Sequence, residues 1–582
     1  MINNKYPTTK PSLNLDFANT KSLDPRINFR RGTPGTYYDG VTHAKAEENL
    51  LSYSEDFSVW SGTPTLLEPL AVGGASPIGT QAYKFIADTT PSSTTYGYLP
   101  LSKSELLTSY SIHVKADGLN YAWFGVCWNG SNYVSFVVDL TTGQVLDNYT
   151  RNRDNILIDT DVTDIGNGWY RVKYVSDGYT ANYMSIGGFS NPPTDLSSSG
   201  LPTFSGDGVS GILLWGAQVE TRNAVTSYTA TNGTPITKYQ PKLMTASPDD
   251  ARFDHDPITG EGKGLLIEEQ RTNLISYSED FGNAAWIKQN GHPYESNVAV
   301  GLDGSVSATR IYKTSDQWIR YEYTQAGTYT LSCWVKSEAT SGDFTMESYN
   351  HADNSANGSD SFTATNKWKR FSRTVTIDTS GGTTSWYPCI PANTNEKFYI
   401  WGAQLEAGPF PTSYIKTTGA SATRSADNAS ITGENFSSWY RQDEGSVYSE
   451  ISSFDPRDSQ ARITLSDGTD SNRIFMAANI GSNILKVDGW GSSNIGDYDL
   501  DINNFQVNKI YKKSFGLKRN DYFISIDGQS ESGITSQDVP LPLVDRFDFS
   551  TRSVSHYVNG HIKKLAYYPQ RLTNEQLQNL TK

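Results

Sequence analysis

Three cysteines, Cys127, Cys333 and Cys389, are too few for a disulfide framework, and no C-x-x-C pair is present to start a zinc ribbon. They read as core thiols. Histidine is also scarce: of seven, His556 and His561 form the one close pair, and no H-x-x-x-H spacing occurs. His255, flanked by Asp254 and Asp256, reads as a hydrogen-bonded loop residue rather than a metal ligand. Positive charge is short as well, with 48 Lys and Arg against 62 Asp and Glu and a net charge of −14, so neither nucleic acid nor an anionic membrane surface is an expected partner. No apolar run approaches the roughly 18 residues of a membrane span, and the first seven residues, Met1 to Pro7, lack the apolar core of a signal peptide. A soluble product made in the cytoplasm without a signal peptide is expected.

What the chain has in quantity is rings and glycine: 13 Trp, 35 Tyr, 23 Phe and 49 Gly, a mix that favours many short strands joined by tight turns. At about 150 residues per domain, 582 residues allow roughly four units, and fewer if they are all-β. The dominant signal is an internal repeat. Asn49–Phe57 (NLLSYSEDF) returns as Asn273–Phe281 (NLISYSEDF), identical at eight of nine positions. Tyr110 to Lys115 is answered by Tyr329 to Lys336, and Asn167 to Arg171 by Asn366 to Arg370. The closing block WGAQVE at Trp215 to Glu220 returns as WGAQLE at Trp401 to Glu406, and a Thr-Ser-Tyr ending at Tyr228 or Tyr414 follows each. A module has been duplicated.

Period two in the closing block places Leu213, Trp215, Ala217 and Val219 on an inward face and Gly216, Gln218 and Glu220 on an outward one; Tyr399 to Glu406 repeats the pattern. Both tryptophans are therefore expected in the interior of a half-buried strand. With further strand signals such as Tyr133 to Leu140, closed by Thr141-Thr142-Gly143, two packed antiparallel sheets per module fit best. After Asp427 the repeat stops. A different series of strands starts at Gly445 to Ile451, continues with Tyr522 to Gly528 and ends at His561 to Pro569. Thr573 with Gln576 then forms a capping box, and Leu572 with Leu577 a hydrophobic staple, on a short final helix.

These residues resemble the carbohydrate-binding-module-like jelly rolls of bacteriophage fibre, spike and other receptor-binding proteins. The resemblance lies in the opening N-L-[LI]-x-Y-S-E-D-F followed by Trp60 or Trp286, the closing W-G-A-Q-[VL]-E, and the stretch Phe253 to Glu268 with Glu269 to Asn273 that introduces such modules. It covers about residues 10 to 425. One departure is that Asp24 to Phe29, which in similar proteins lies shortly before the Phe253-like stretch, is separated from it here by the whole first module, so the first copy looks inserted or duplicated. Residues 428 to 582 resemble a concanavalin A-like or laminin-G-like sandwich. The expected fold is all-β: an N-terminal virion-attachment segment over 1–45, which orders only against a partner, jelly rolls over 46–232 and 273–420 with a linker at 233–272, and the terminal sandwich over 421–582.

The resemblance implies a non-enzymatic virion protein of the tail or head that binds host surface glycans during adsorption, joins other virion proteins through its N-terminus and assembles as a homotrimer. A decoration fibre without its own ligand and a polysaccharide depolymerase are the alternatives. Glycanases on a concanavalin-like sandwich use E-x-D-x-E or E-x-D-x-x-E to set two carboxylates about 5 to 5.5 Å apart, and no E-x-D occurs here. There is no G-x-S-x-G elbow either, and Gly260 to Gly264 lacks the phosphate-loop frame. No cofactor is expected; structural calcium is the one ion the resemblance brings, with Asp467, Asp470, Asp497, Asp499 and Asp501 as candidates by type, although none follows the calcium-loop spacing. Sugars need exposed rings for stacking beside amides or carboxylates. Rings that do not match between the copies are the candidates: Tyr121, Trp123 and Trp128 with Asn129, Tyr179 and Tyr183 in the first module, and Trp386 and Tyr387 in the second. Of Trp123 and Trp128, at least one is expected inside, since a separation of five puts them on opposite faces of a strand.

Overall fold

A computed structural model describes the chain except residues 1–4, 64, 70–75, 79, 88, 90–95, 103–105, 129–131, 147–148, 151–155, 178–180, 193–203, 352–354, 378–381, 458–462, 470, 480–483, 491–495, 502–505, 534–539 and 550–556, and gives the backbone alone at some further strand positions, among them Cys127, Trp128 and Asp497–Asp501. The chain divides into two compact units. One comprises Met1–Ala44, Pro241–Ser296 and Gly301–Lys582, the other Lys45–Gln240 and Asn297–Val300. Almost all of the regular structure is strand, arranged as three β-sandwiches.

The terminal sandwich is assembled from both ends of the sequence. Its final strand, Gly560–Tyr568, pairs along one edge with Glu444–Ser453. Along the other edge it pairs with Gly262–Ile267 and, further on, with Leu13–Asp16. Asn28–Arg30 joins the opposite, seven-stranded sheet through Asn428–Thr432. Leu13, Leu15, Phe17, Ile27 and Phe29 are buried in the same core as Leu265, Ile267, Phe515 and Phe547. The segment expected to order only against a partner is thus part of this sandwich, and the stretch read as a linker supplies two of its strands, Phe253–His255 and Gly262–Ile267. The physical reason is that each piece is a short alternating strand with too little apolar surface to fold alone, and its partners lie far away in sequence. Both jelly rolls are insertions between these pieces. The strands that lead out to the first one and back, Gly35–Asn49 and Ile236–Ala246, pair with each other.

The first jelly roll packs two six-stranded sheets, the second two five-stranded sheets. In each, the closing strand lies beside the Tyr110 or Tyr329 strand: Gly211–Glu220 with Thr108–Asp117, and Phe398–Ala407 with Gly327–Ser337. The register of both pairs slips at the same place, between Trp215 and Gln218 and between Ser332 and Trp334, which face Gln404 and Trp401. Gly216 and Gly402 supply the slip with left-handed backbone, φ 57° and 62°. The consequence corrects the period-two reading. Ile212, Leu214, Ala217 and Val219 enter the core between the sheets, whereas Leu213 and Trp215 point out of the sheet and are buried there with Ala82, Trp169 and Tyr228. In the second copy Phe398, Ile400, Ala403 and Leu405 are core, and Trp401 packs 5.4 Å from Trp334 and 5.0 Å from Tyr414. The indoles are 3% and 0% exposed, so both are interior, but on the far side of the sheet from the main core.

The polar residues of the closing strand are not solvated either. The chain folds back over them and satisfies them in the same way in each copy. Gln218 accepts the Thr229 amide and Gln404 the Ile415 amide, both at 2.6 Å. Glu220 accepts from the amide of Thr226 at 2.9 Å and Glu406 from that of Thr412 at 3.0 Å. Asn49 and Asn273 each donate to two carbonyls across the closure, and Tyr228 and Tyr414 each meet a serine hydroxyl at 2.7 Å and donate to Glu55 or Glu279. The repeated motif is therefore a closure device, which is why it survives duplication while loops diverge. Gly402→Ala is expected to lower stability by about 1–2 kcal/mol from left-handed backbone alone, read from chemical denaturation, because a Cβ would also lie 3.0 Å from the Trp334 ring.

At the C-terminus Thr573 accepts the Gln576 amide while Gln576 accepts the Thr573 amide, and Leu572 and Leu577 are buried against the sheet, as the sequence indicates.

Candidate functional site

The two candidate tryptophans whose side chains are described are interior. Trp123 is 0% exposed, in a small cluster with Val137 and Phe189 on the outer side of its sheet, and Tyr121 and Tyr183 are partly buried against it. Trp386, at 1%, is in the main core of the second jelly roll. Neither indole offers a free face for stacking, because each fills space its own sandwich must close. Trp128 is placed by its backbone in Tyr121–Trp128; Asn129 and Tyr179 lie outside the described residues. Tyr387, one step along the strand from Trp386, points the opposite way.

The carboxylate and histidine candidates are engaged locally. Asp467 accepts from Thr469 and Asn472 within its own turn, which holds its carboxyl below the usual range although partial burial works the other way. Asp497, Asp499 and Asp501 fall in the strand Gly496–Asp501, with side chains outside the described residues, as are Asp470 and His556. His255 is buried with Nδ1 at 3.0 Å from the carbonyls of Tyr38 and Phe253. Asp254 meets His561 at 2.8 Å. Cys333 and Cys389 are buried free thiols; burial pushes Cys333 up to about 12, which leaves it inert.

One face combines rings with unshielded polar groups. It is the outer side of the sheet Trp286–Gln289, Trp318–Tyr323, Thr384–Pro391, Ser341–Asn350, Ser355–Thr365 in the second jelly roll. Alternation sends Trp286, Ile319, Phe344, Met346 and Trp386 into the core and leaves Gln289, Trp318, Arg320, Glu322, Ser385, Tyr387, Glu347 and Tyr349 on the other side. The register sets Glu347 directly opposite Tyr387, and Tyr349 opposite Ser385, which is itself opposite Glu322. Tyr387, 6% exposed, is the floor of the face. The Trp318 ring stands edge-on to it, centroids 6.3 Å apart and planes at 81°, and the Tyr349 and His351 rings meet at 5.0 Å beside it.

Polar groups fix these rings. Trp318 Nε1 donates to Gln289 Oε1 at 2.7 Å, and Arg320 donates to the same oxygen. Arg320 also pairs with Glu322 at 3.1 Å. His351 Nε2 and Ser385 Oγ are 2.8 Å apart. The serine hydroxyl is fully buried, so this pair orients an exposed imidazole and does not present a nucleophile. Partial burial raises the Glu347 carboxyl, with Arg373 opposing; burial likewise raises the Tyr387 phenol, against a hydrogen bond from Ser385 and the charge of Arg320. Rings held on edge beside carboxylates and amides suit a ligand with C–H faces and many hydroxyls. Sequence reasoning missed Trp318, Arg320, Glu347 and Tyr349. The alternation Trp-Ile-Arg-Tyr-Glu-Tyr at 318–323 was the available signal, since it separates one polar, ring-bearing face from one apolar face.

No known protein-family model matches the chain, and no curated protein is similar to it. Among solved structures, the tandem CBM22-1–CBM22-2 domain of Paenibacillus barcinonensis Xyn10C aligns at 12% identity over 62% of this chain and 99% of that one, with a TM-score of 0.20. The tandem CBM51 modules of Sp3GH98, a family 98 glycoside hydrolase from Streptococcus pneumoniae SP3-BS71, align at 9% identity over 65% and 100%, TM-score 0.17. The LG1-3 region of the laminin alpha2 chain aligns at 11% over 82% and 96%, TM-score 0.15. At TM-scores this low the similarity identifies neither a family nor a ligand for this chain.

Proposed function

We propose that the chain is a non-catalytic glycan-binding protein of a bacteriophage fibre or spike, and that its second jelly roll holds host-surface sugar on the face formed by Trp318, Tyr387 and Tyr349. The observation that carries this reading is the grouping of those rings with Arg320, Glu347 and Gln289 on one side of one sheet, the opposite side being consumed by the core. The phage context rests on the resemblance of the duplicated module's sequence motifs to the jelly rolls of phage fibres and spikes. A shallow face of this kind binds weakly by itself, so display in several copies, as in trimeric fibres, would supply avidity without new contacts.

The test is a glycan array with the full-length protein presented multivalently, alongside Trp318→Ala. Binding of wild type and a loss of about tenfold or more in the variant, some 1.4 kcal/mol, with unchanged circular dichroism, is the expected result; equal binding by the two proteins would count against the face. Purified protein added to cells should also compete with phage adsorption. A structural reading, in which the sandwiches are spacers, draws on the burial of Trp123 and Trp386. It would be favoured by normal adsorption after deletion of the gene.

A further inference from the structure

We infer that the ligand of this face is an uncharged, hydroxyl-rich sugar for which Glu347 is the principal hydrogen-bond acceptor, and that carboxylated or sulfated glycans are excluded. The inference rests on the reading of the face as a sugar site.

Its basis is the balance of charge on the face. Among the described side chains that point outward from the sheet, Arg320 is the cation, and it is already committed: its guanidinium holds Gln289 and Glu322, and its side chain is 16% exposed. Against it stand three carboxylates, Glu322, Glu347 and Asp343. Glu322 faces Arg320, and Asp343 accepts the Thr363 hydroxyl at 2.6 Å. The Glu347 carboxylate accepts no hydrogen bond from, and makes no ion pair with, any described residue. Arg373, whose charge opposes the effect of burial on Glu347, is paired with Asp360 at 2.8 Å.

A half-buried carboxylate without a donor among the described residues, lying directly across from the ring that floors the face, is an acceptor that a covering ligand must satisfy. Sugar hydroxyls do so with charge-assisted bonds, roughly twice as strong as neutral ones. An anionic substituent in the same place meets the like charge of Glu347 and no uncommitted cation among the described residues, the kind of repulsion that rejects wrong partners. Partial burial of Glu347 strengthens both effects, since it thins the water that would screen them.

The experiment uses the full-length protein on immobilised glycans in two sets that share a core and differ in whether a carboxylate or sulfate is attached. Wild type, Glu347→Gln and Trp318→Ala are compared. Wild type is expected to bind the uncharged set at least tenfold better than the acidic set. Glu347→Gln should lose about tenfold on the uncharged set and discriminate less, with its fold intact by circular dichroism. Equal or stronger binding of the acidic set, or unchanged binding by Glu347→Gln, overturns the inference, and if Trp318→Ala still loses binding the reading of the face stands. Wild-type levels in Trp318→Ala, or no binding to either set, overturn that reading and the inference together.

Discussion

Asp427→Asn is expected to lower stability by about 3–5 kcal/mol, the usual effect of removing one partner from a buried ion pair, as read from urea unfolding at neutral pH. Asp427 accepts from Arg31 at 3.2 Å, from Arg252 at 2.5 Å and from the Glu268 amide at 2.9 Å. Glu268 takes Arg252 at 2.7 Å, Arg424 at 3.5 Å and both the amide and hydroxyl of Ser413. All five charged side chains are buried, three guanidinium groups against two carboxylates. Neutralising either carboxylate leaves three buried cations facing one anion. The cluster draws its members from Phe29-Arg30-Arg31, from the run ending in Phe253, from Glu268 and from Arg424 to Asp427. These are the segments on either side of the two insertions, so it ties together the points where the chain leaves and re-enters the terminal sandwich.

The same cluster sets a pH dependence. Burial would raise the Glu268 carboxyl, but Arg424 and Arg252, with Ser413, outweigh it and hold it well below its ordinary value of 4.5. A carboxyl depressed in the folded state contributes stability that is fully present above the unfolded value and is lost as pH falls toward the folded one. Urea unfolding of wild type and Glu268→Gln should therefore differ most near neutrality, and the gap should narrow once the pH drops below about 4.5. A gap that widens with acid would reverse the sign assigned to Glu268.

Much of the fold is legible in residues whose partners are close in sequence. The capping box at Thr573 and the Asp527-Gly528 turn after Tyr522 are local devices, and the structure forms both. The repeat exposes the two jelly rolls because a duplicated closure must keep Asn49, Gln218, Glu220 and Tyr228 together with their counterparts. Alternation alone could not show that Gly216 and Gly402 break the period, since glycine permits left-handed backbone without requiring it. That single slip moves Trp215 and Trp401 to the other side of their sheets. Nor could it show that Leu13-Asn14-Leu15-Asp16 is a strand: four residues carry little signal, and the strand is made by Gly560–Tyr568, at the opposite end of the chain.

The face on the second jelly roll shows a different limit. Choosing rings unmatched between copies leads to Trp386 and Tyr387 together, although adjacent strand residues face opposite ways and only Tyr387 is on the outer side. Which of the two is core depends on their register partners, Tyr321 and Ser348 beside Trp386 and Glu347 beside Tyr387, a relation between strands that one sequence does not display. Trp318 and Arg320 share their strand with Ile319 and Tyr321, so a composition window averages a core face with the candidate face and reports neither.

Trp401→Ala and Trp215→Ala should each lose about 3–5 kcal/mol, the range for removing a large buried aromatic. Trp401 is enclosed by Trp334 and Tyr414, donates its Nε1–H to Ser307 at 2.9 Å, and is backed by the Arg370 guanidinium 4.6 Å over the Trp334 ring. Trp215 is held by His113 at 4.9 Å and Tyr228 at 4.8 Å and donates to Thr80 at 3.1 Å. Because Trp215 belongs to the unit Lys45–Gln240 and Trp401 to the other, calorimetry should assign the losses to different transitions. At about 2–4 °C per kcal/mol for a unit of 150–250 residues, Trp215→Ala should lower the midpoint of its own transition by several degrees and leave the other in place, with Trp401→Ala shifting only the transition of the other, larger unit and by less per kcal/mol. Shifts under one degree would mean that the indoles contribute no buried packing, and a common shift of both transitions would mean that the first jelly roll does not melt as its own unit.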